Sequence, residues 1–261
     1  MTEKLPKAPR NGDAKQALRF IISIVLSVMF ALFLTGCTVR IGNTGLAVVQ
    51  GRGEMVSRDF TPGDFNAIDI SGGYDVSFTY AQGAALRVNM QENLFDYLEV
   101  AVRNGTLYVS STRGFNTTSA NQPTIHIYAP SITALSFAGA VNTVNWDTVR
   151  GESFTLDVAG AANITLDLDV EVLEISAAGA ANINLAGRAD TTEISTAGAS
   201  DLSALELDTR DTTVSIAGTG NVDIAVSESL NASIAGAGRI RYLGDPAVSQ
   251  SVAGVGRISR Y

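Results

Sequence analysis

The sequence predicts an all-β protein, a right-handed parallel β-helix (solenoid) with coils of about 18–21 residues, preceded by a cleaved signal segment. Three observations predict this fold. A seven-residue unit recurs at a nearly constant period, apolar residues alternate through each unit, and the chain begins with a basic stretch followed by an apolar run. A period of about 20 residues with strand-like alternation is typical of a stacked solenoid.

The repeated unit is Ser or Asp, a variable residue, Ala-Gly, two variable residues and a polar residue, as in Asp157–Asn163. Its shared glycine stands at seven positions: Gly139, Gly160, Gly179, Gly198, Gly218, Gly236 and Gly254. Successive glycines are 18 to 21 residues apart. A β-sandwich also has turn signals at intervals of about 8–12 residues. Its strands do not repeat a seven-residue signature in register, so the solenoid is the preferred interpretation.

Alternation within the units indicates extended chain. From 213 to 226, residues of one parity are apolar or glycine, whereas the other parity is polar or small. Such a pattern places the apolar side chains on one face of a strand. The apolar face narrows at the Ala-Gly pair, and glycine inside a strand marks a bend or a close backbone approach. We therefore expect a corner at each glycine, with the corners stacked at the strand spacing of about 4.8 Å.

A polar residue stands three positions after each repeat glycine. In the first five units it is an amide or a carboxylate, and in the last two it is arginine: Asn142, Asn163, Asn182, Asp201, Asn221, Arg239 and Arg257. Stacked asparagines can hydrogen-bond along a column through their amides. The pattern favours a structural ladder, and the alternative is a polar strip that binds a ligand.

The first half of the chain predicts a less regular continuation of the solenoid. Residues Asp69–Val76 overlay on the later units, with Asp75 at the asparagine position. Asn104 and Gly105 lie between two expected strands and predict a tight turn. Residues 93–98 predict one helical turn, with Asn93 as its N-cap.

The first 36 residues predict a lipoprotein signal peptide. Five basic residues precede an apolar run over 20–34, which is the layout of a secretory signal and is short for a membrane-spanning helix of about 20 residues. The following Leu-Thr-Gly-Cys sequence resembles the lipobox of bacterial lipoproteins and makes Cys37, the single cysteine of the chain, the expected lipidation site.

This signal divides the chain into three expected parts. Residues 1–36 are the signal peptide, residues 37–53 are the lipidated cysteine and a flexible glycine-containing tether, and residues 54–261 are the solenoid. Lipid on Cys37 would hold the protein on a membrane. Thr38 is not the aspartate that resembles an inner-membrane retention signal. The expected location is therefore the cell envelope, lipid-anchored in the outer membrane.

Charge and cysteine content limit the partners of the mature chain. Removing the five basic and two acidic residues of the signal leaves 13 basic and 24 acidic residues, a net charge of −11. All 13 basic residues are arginine. Such an acidic protein is not expected to bind nucleic acid, which requires clustered positive charge. With one cysteine, the chain cannot form an internal disulfide.

The sequence offers no complete set of catalytic residues. His126 is the single histidine and alternates with Ile125 and Ile127, as a strand residue on the polar face would. A Ser-His-Asp triad would have to be built around it, and the Gly-x-Ser-x-Gly elbow is absent from the sequence. Zinc sites of the usual kinds need more cysteines and histidines. We therefore expect no enzyme activity, no cofactor and no metal centre.

A group of acidic residues suggests an alternative function. Asp167, Asp169 and Glu171 alternate with apolar residues and should lie on one outer strand face. The alternation indicates solubilising charge, although such carboxylates could also bind Ca²⁺. A β-helix can also use paired carboxylates for cleavage of a polysaccharide. The alternative function is therefore a carbohydrate-active enzyme with its acidic cluster near Asp167 or Asp208.

Several blocks together resemble a known family. They are Phe65–Ile70, Gly73–Phe78, Glu92–Tyr97, Asn104–Val109 and the recurring Ala-Gly units. Over residues 54–261 the chain resembles the putative auto-transporter adhesin head GIN domain family. The resemblance implies a right-handed β-helix and an exported, often lipid-anchored protein, and it brings no catalytic residues. Many relatives have Ser-Gly-Ser-Gly at the corners, whereas Ala-Gly-Ala-Ala dominates here.

These observations favour a non-enzymatic, lipid-anchored envelope solenoid. Its expected partners are the membrane, through Cys37, and a glycan or an envelope protein. A further alternative is a scaffold subunit that forms homo-oligomers through its last coil, because an uncovered solenoid end can pair with another chain.

Overall fold

The computed structural model describes residues 48–261. They form fifteen strands and two short 3₁₀ helices, Glu92–Tyr97 and Ser119–Asn121. The strands are β1 Val49–Gln50, β2 Met55–Phe60, β3 Ala67–Tyr80, β4 Ala85–Gln91, β5 Leu98–Arg103, β6 Thr106–Ser111, β7 Phe115–Asn116, β8 Thr124–Ala129, β9 Ala134–Trp146, β10 Val149–Gly198, β11 Asp201–Gly218, β12 Asn221–Gly236, β13 Arg239–Leu243, β14 Ala247–Gly254 and β15 Arg257–Arg260. Within these residues no helix is long and apolar enough to cross a membrane. The predicted signal peptide and Cys37 lie outside the described residues.

Parallel pairing from coil to coil confirms the β-solenoid. β3 pairs with β9, β9 with β10, β10 with β11, and β11 with β12, all in parallel. β12 then pairs in parallel with β13 and β14, and β13 with β15. β10 is 50 residues long because pairing continues around the corners of successive coils.

The repeat glycines stack in one column, as the sequence predicts. Gly72 pairs with Gly139, which extends the column to an eighth glycine in the first half of the chain. The backbone φ of Gly198 is +117°, a conformation that favours glycine. A Cβ atom added at Gly198 would lie 2.5 Å from the carbonyl oxygen of Gly179. The small corner is therefore required both by backbone conformation and by contact with the coil before.

The alternating apolar residues fill the interior of the coils. In β10, Phe154, Leu156 and Val158 are buried, and the pattern continues through Ile164, Leu166 and Leu168. Register fixes which residues meet: Ile194 lies beside Val214, and both are fully buried. Burial of apolar surface is the main stabilising contribution in such a stack.

The N-terminal end departs from a regular parallel coil. β2 pairs antiparallel with β4, and β4 pairs antiparallel with β8. β5 and β6 form an antiparallel hairpin whose turn is the predicted Asn104-Gly105 pair, with φ of +51° and +77°. These antiparallel strands cover the first coil, so the solenoid is closed at this end by elements that the repeat did not predict.

The predicted N-cap of the helical turn is wrong. The predicted helical turn is present as the 3₁₀ helix Glu92–Tyr97, but its N-cap is Gln91. The Asn93 side chain instead accepts a hydrogen bond from the backbone N–H of Arg52 at 2.7 Å and donates one to the carbonyl of Gln50. These contacts, together with pairing of β1 with β7, attach the end of the expected 37–53 tether to the domain.

Candidate binding face

The outward residues that follow the glycine corner form a polar strip along the solenoid. The residues three positions after the glycines lie in register, since Asp75 pairs with Asn142 and Asn142 with Asn163. Asn182 likewise pairs with Asp201, Asp201 with Asn221, and Asn221 with Arg239. We call this column the amide ladder: Asp75, Asn142, Asn163, Asn182, Asp201 and Asn221.

Hydrogen bonds in the amide ladder all run in one direction. Asn142 donates from Nδ2 to Oδ1 of Asp75 at 2.8 Å, and Asn163 donates to Oδ1 of Asn142 at 2.8 Å. Asn182 donates to Oδ1 of Asn163 at 3.0 Å. Asn142 and Asn163 thus each donate to the preceding coil and accept from the next one. Asp75 ends the series because a carboxylate accepts and does not donate.

The amide ladder is interrupted between Asn182 and Asp201. Asp201 accepts a hydrogen bond from Nδ2 of Asn221 at 2.6 Å but has no N–H to offer to Asn182. Within residues 48–261, no donor side chain binds Oδ1 of Asn182. An amide oxygen and a carboxylate therefore lie side by side on neighbouring strands, both exposed and both able to accept a hydrogen bond.

An open groove of about 390 Å³ lies over this interruption. We call it the ladder-break groove. Its lining is mostly polar: Asn182, Asn184, Asp201, Ser203, Asn221, Asp223 and Arg239, with Ile183 and Leu202. The residues Asn184, Ser203 and Asp223 stand two positions beyond the amide ladder and form a second polar column beside it.

The C-terminal end of the polar strip is positively charged. Arg241 binds Asp223 through Nε at 2.7 Å and through Nη2, a bidentate ion pair. The hydrogen bond to Asp223 raises the pKa of the Arg241 guanidinium. In the described part of the chain, no carboxylate lies within ion-pair distance of Arg239 or Arg257. These two exposed arginines pair directly across neighbouring strands, an arrangement in which like charges repel.

The single histidine does not form a triad. The hydroxyl of Ser77 lies 2.6 Å from Nδ1 of His126, and Thr124 lies 3.5 Å from Nε2. Ser77 is 6% exposed and lies beside His126 in the parallel pairing of β3 with β8. A triad needs a carboxylate on the second ring nitrogen and an accessible nucleophile; here a threonine occupies that place and the serine is buried.

The predicted acidic face is exposed as expected and does not line the ladder-break groove. Asp167, Asp169 and Glu171 are exposed, with Leu168 and Val170 buried between them. Asp167 accepts a hydrogen bond from Thr148 at 2.9 Å. Among the residues that the structure describes, no three acidic, histidine or cysteine side chains are grouped so as to hold a metal ion. Asp208 is also exposed and does not line the groove.

Comparison with known proteins shows the family. The sequence pattern of the family described as putative auto-transporter adhesin, head GIN domain, matches residues 64–246. The chain therefore belongs to this family. No curated protein matches the chain.

Solved structures support the fold. A putative adhesin from Bacteroides fragilis is 24% identical with a TM-score of 0.75, over 82% of this chain and 100% of that chain. A putative adhesin from Parabacteroides merdae is 22% identical with a TM-score of 0.63, over 82% and 98%. A putative lipid binding protein from Parabacteroides distasonis is 21% identical with a TM-score of 0.67, over 82% and 99%. These structures share the fold of this chain.

The sequence repeat predicts the amide ladder but not the groove. It places Asp75 in line with the asparagines of a hydrogen-bonded column. Asn184, Ser203 and the interruption at Asp201 lie outside that prediction. The available signals were the replacement of one asparagine by aspartate in the column, and a polar residue two positions after Asn163, Asn182, Asp201 and Asn221.

Proposed function

We propose that this protein is a non-enzymatic, lipid-anchored β-solenoid of the cell envelope that binds an envelope polymer or a neighbouring surface through its outer polar strip. The observation that carries this proposal is the ladder-break groove, where amide, hydroxyl and charged side chains from successive coils face solvent. Such a set can recognise a hydroxyl-bearing polymer by hydrogen bonds. The family description, an adhesin head, agrees with a binding role.

Lipid anchoring is proposed from the sequence. The basic stretch, the apolar run and the Leu-Thr-Gly-Cys sequence before residue 38 support cleavage before Cys37 and attachment of lipid to this cysteine. More than one acyl chain would give firm attachment, because each buried CH₂ contributes about 0.8 kcal/mol. We expect mass spectrometry of the mature protein to find Cys37 as an acylated first residue. A mature protein that retains residues 1–36 would contradict the anchor.

The binding role is tested with a panel of purified envelope glycans and whole cells. We expect the full chain, purified in detergent, to bind at least one glycan or cell surface in a saturable manner. Absence of binding across the whole panel would contradict the adhesion part of the proposal. Cleavage of any panel polysaccharide would favour the enzyme alternative, and its loss on replacing Asp167 or Asp208 would assign that activity to the acidic face.

Self-association is a second candidate function, favoured by the final coil. Val248 and Val252 occupy the positions of the buried Leu230 and Ile234, but they are 39% and 43% exposed. β14 carries no charged residue, so two copies could pair their β14 edges without repulsion between like charges.

Sedimentation of the purified protein over a range of concentrations tests this contact. We expect a monomer–dimer equilibrium that Val252→Glu shifts to monomer, because the substitution puts a charge into the contact. Val172→Glu is the matched control, since Val172 is similarly exposed at 38% but lies in an earlier coil. A monomer at every concentration would contradict self-association.

A further inference from the structure

We propose that the ladder-break groove binds a glycan that carries carboxylate groups, a uronic acid polymer in chemical class. This inference rests on the proposed function of polymer binding. Beyond polymer binding, we specify the site, the residues that form it and the chemical class of the polymer.

The amide ladder leaves two hydrogen-bond acceptors without a donor at the point where it is interrupted. Oδ1 of Asn182 and the carboxylate of Asp201 face each other on paired strands without a protein donor between them. Two acceptors in this position favour a ligand that supplies donors. Sugar hydroxyl groups are such donors, and two hydroxyls of one oligosaccharide could each donate to one of the two oxygens.

A positively charged side chain, Arg239, lies at the other side of the groove. Arg239 lines the groove, whereas its neighbour Arg241 is already neutralised by Asp223. Arg239 is also placed beside Arg257 by strand pairing. An anion at Arg239 would relieve this repulsion and gain a charge-assisted hydrogen bond, which a planar guanidinium makes best with a carboxylate.

The distance between the free acceptors and Arg239 determines the size of ligand that can contact both. Asn182 and Arg239 are three coils apart along the column, which is roughly 14 Å at the strand spacing. A single inorganic anion cannot reach both, whereas a short oligosaccharide can lie along the column. The carboxylates of Asp201 and Asp223 also disfavour a doubly charged phosphate more than a singly charged carboxylate.

A metal ion fits this groove poorly. Ca²⁺ takes six to eight oxygen ligands, usually with several carboxylates. In residues 48–261 no group of three acidic or histidine side chains meets that need. Arg239 would also repel a cation. The groups therefore favour a ligand with donors at one end and a negative charge at the other.

The experiment is titration calorimetry of the full chain in detergent with tetragalacturonate, a defined carboxylated oligosaccharide. The comparison ligand is maltotetraose, a neutral oligosaccharide of the same length. We expect tetragalacturonate to bind at least tenfold more tightly than maltotetraose, with affinity that falls as salt rises. Equal binding of the two, or binding that requires added Ca²⁺, would overturn the proposal.

Two substitutions locate the site. Arg239→Gln removes the guanidinium and should weaken tetragalacturonate binding at least tenfold, whereas Arg150→Gln, the same change at an exposed arginine outside the groove, should leave binding unchanged. Asp201→Asn lets residue 201 donate to Asn182 and completes the amide ladder. We expect this variant to melt at a higher temperature and to bind at least fivefold more weakly, because both free acceptors are consumed.

The outcomes separate this inference from the proposed function. If wild-type protein binds panel glycans but both groove variants bind as well as wild type, the site is wrong while polymer binding stands. If Asp201→Asn binds more tightly, removal of negative charge outweighs the loss of acceptors, and the hydroxyl contact is wrong. If wild-type protein binds no glycan of any kind, this inference and the proposed function fall together.

Discussion

At the scale of single residues, the interior contains polar groups that the apolar pattern does not explain. Tyr74 is fully buried, and its hydroxyl has no hydrogen-bond partner among the described residues. Burial raises the pKa of Tyr74 to about 12. Its ring packs edge-on against Phe115 at 5.7 Å. The ring therefore stabilises the first coil, while the buried hydroxyl costs free energy.

We expect Tyr74→Phe to raise the free energy of unfolding by about 1 kcal/mol, because it keeps the ring and removes an unpaired hydroxyl. Denaturant unfolding measures the change. Tyr108→Phe is the control, since Tyr108 is 38% exposed and water can satisfy its hydroxyl. A loss of stability in Tyr74→Phe alone would show that the hydroxyl has a partner.

Asp157 stands at the position of the serines in other units and gives a pH prediction. Loss of hydration raises the pKa of its carboxyl above 3.8, although a hydrogen bond with Ser176 opposes the shift. Since the folded protein holds this proton more tightly than the unfolded chain, the contribution is present at low pH and is lost as pH rises through the raised pKa. We expect Asp157→Ser to reduce the fall in stability as pH rises above 3.8.

Asp59 is a control for the same pH series, because the pKa of its carboxyl is shifted in the opposite direction to that of Asp157. The hydrogen bond from Arg87 lowers the pKa of the Asp59 carboxyl. Its contribution to stability is therefore present above pH 3.8 and is lost as pH falls through the lowered pKa. We expect Asp59→Asn to reduce the loss of unfolding free energy as pH falls below 3.8. The same pH dependence in both variants would contradict the assignment.

Strict alternation predicts most buried positions but fails near Trp146. The buried residues of β9, Leu135, Phe137 and Val141, have odd numbers, whereas the even-numbered Trp146 is half-buried and packs against Phe78. Asn145 has φ of +50°, and the pairing of β3 with β9 shifts register before Phe78. A bulge changes which face a side chain takes, and no sequence pattern announces it here.

At the scale of elements, the glycine corner decides whether one coil can lie on the next. The repeat was sufficient to predict this column, because identical corners must meet when coils stack. The antiparallel strands β2, β4 and β5 were not predictable from it, since they lie outside the repeated units. Their pairing depends on contacts between residues distant in sequence, such as Arg58 with Val88.

We expect Gly198→Ala to lower the free energy of unfolding by at least about 2 kcal/mol. It forces a non-glycine residue into a positive φ and places a methyl group on the Gly179 carbonyl. Gly151→Ala is the matched control, because a Cβ there would approach no backbone atom closer than 3.8 Å. Equal stability of the two variants in denaturant unfolding would contradict the packed glycine column.

At the scale of the whole molecule, a solenoid behaves as a row of similar units whose stability depends on neighbouring contacts. Removal of residues 199–218 deletes one coil and joins Gly198 to Thr219 in register. We expect this variant to fold with reduced melting temperature, as followed by circular dichroism. Removal of residues 199–208 deletes half a coil and should abolish cooperative folding. A result in which both deletions unfold the protein would contradict independent stacking of coils.

The most direct test of the binding account is photo-crosslinking of the full chain with a diazirine derivative of tetragalacturonate, mapped by mass spectrometry. We predict crosslinks in the tryptic peptides 151–188, 189–210 and 211–239, which carry the residues that line the groove. Excess unlabelled tetragalacturonate should abolish them, and Arg239→Gln should weaken them. Crosslinks confined to residues before Arg150, or unchanged by Arg239→Gln, would contradict the assignment of the ladder-break groove as the binding site.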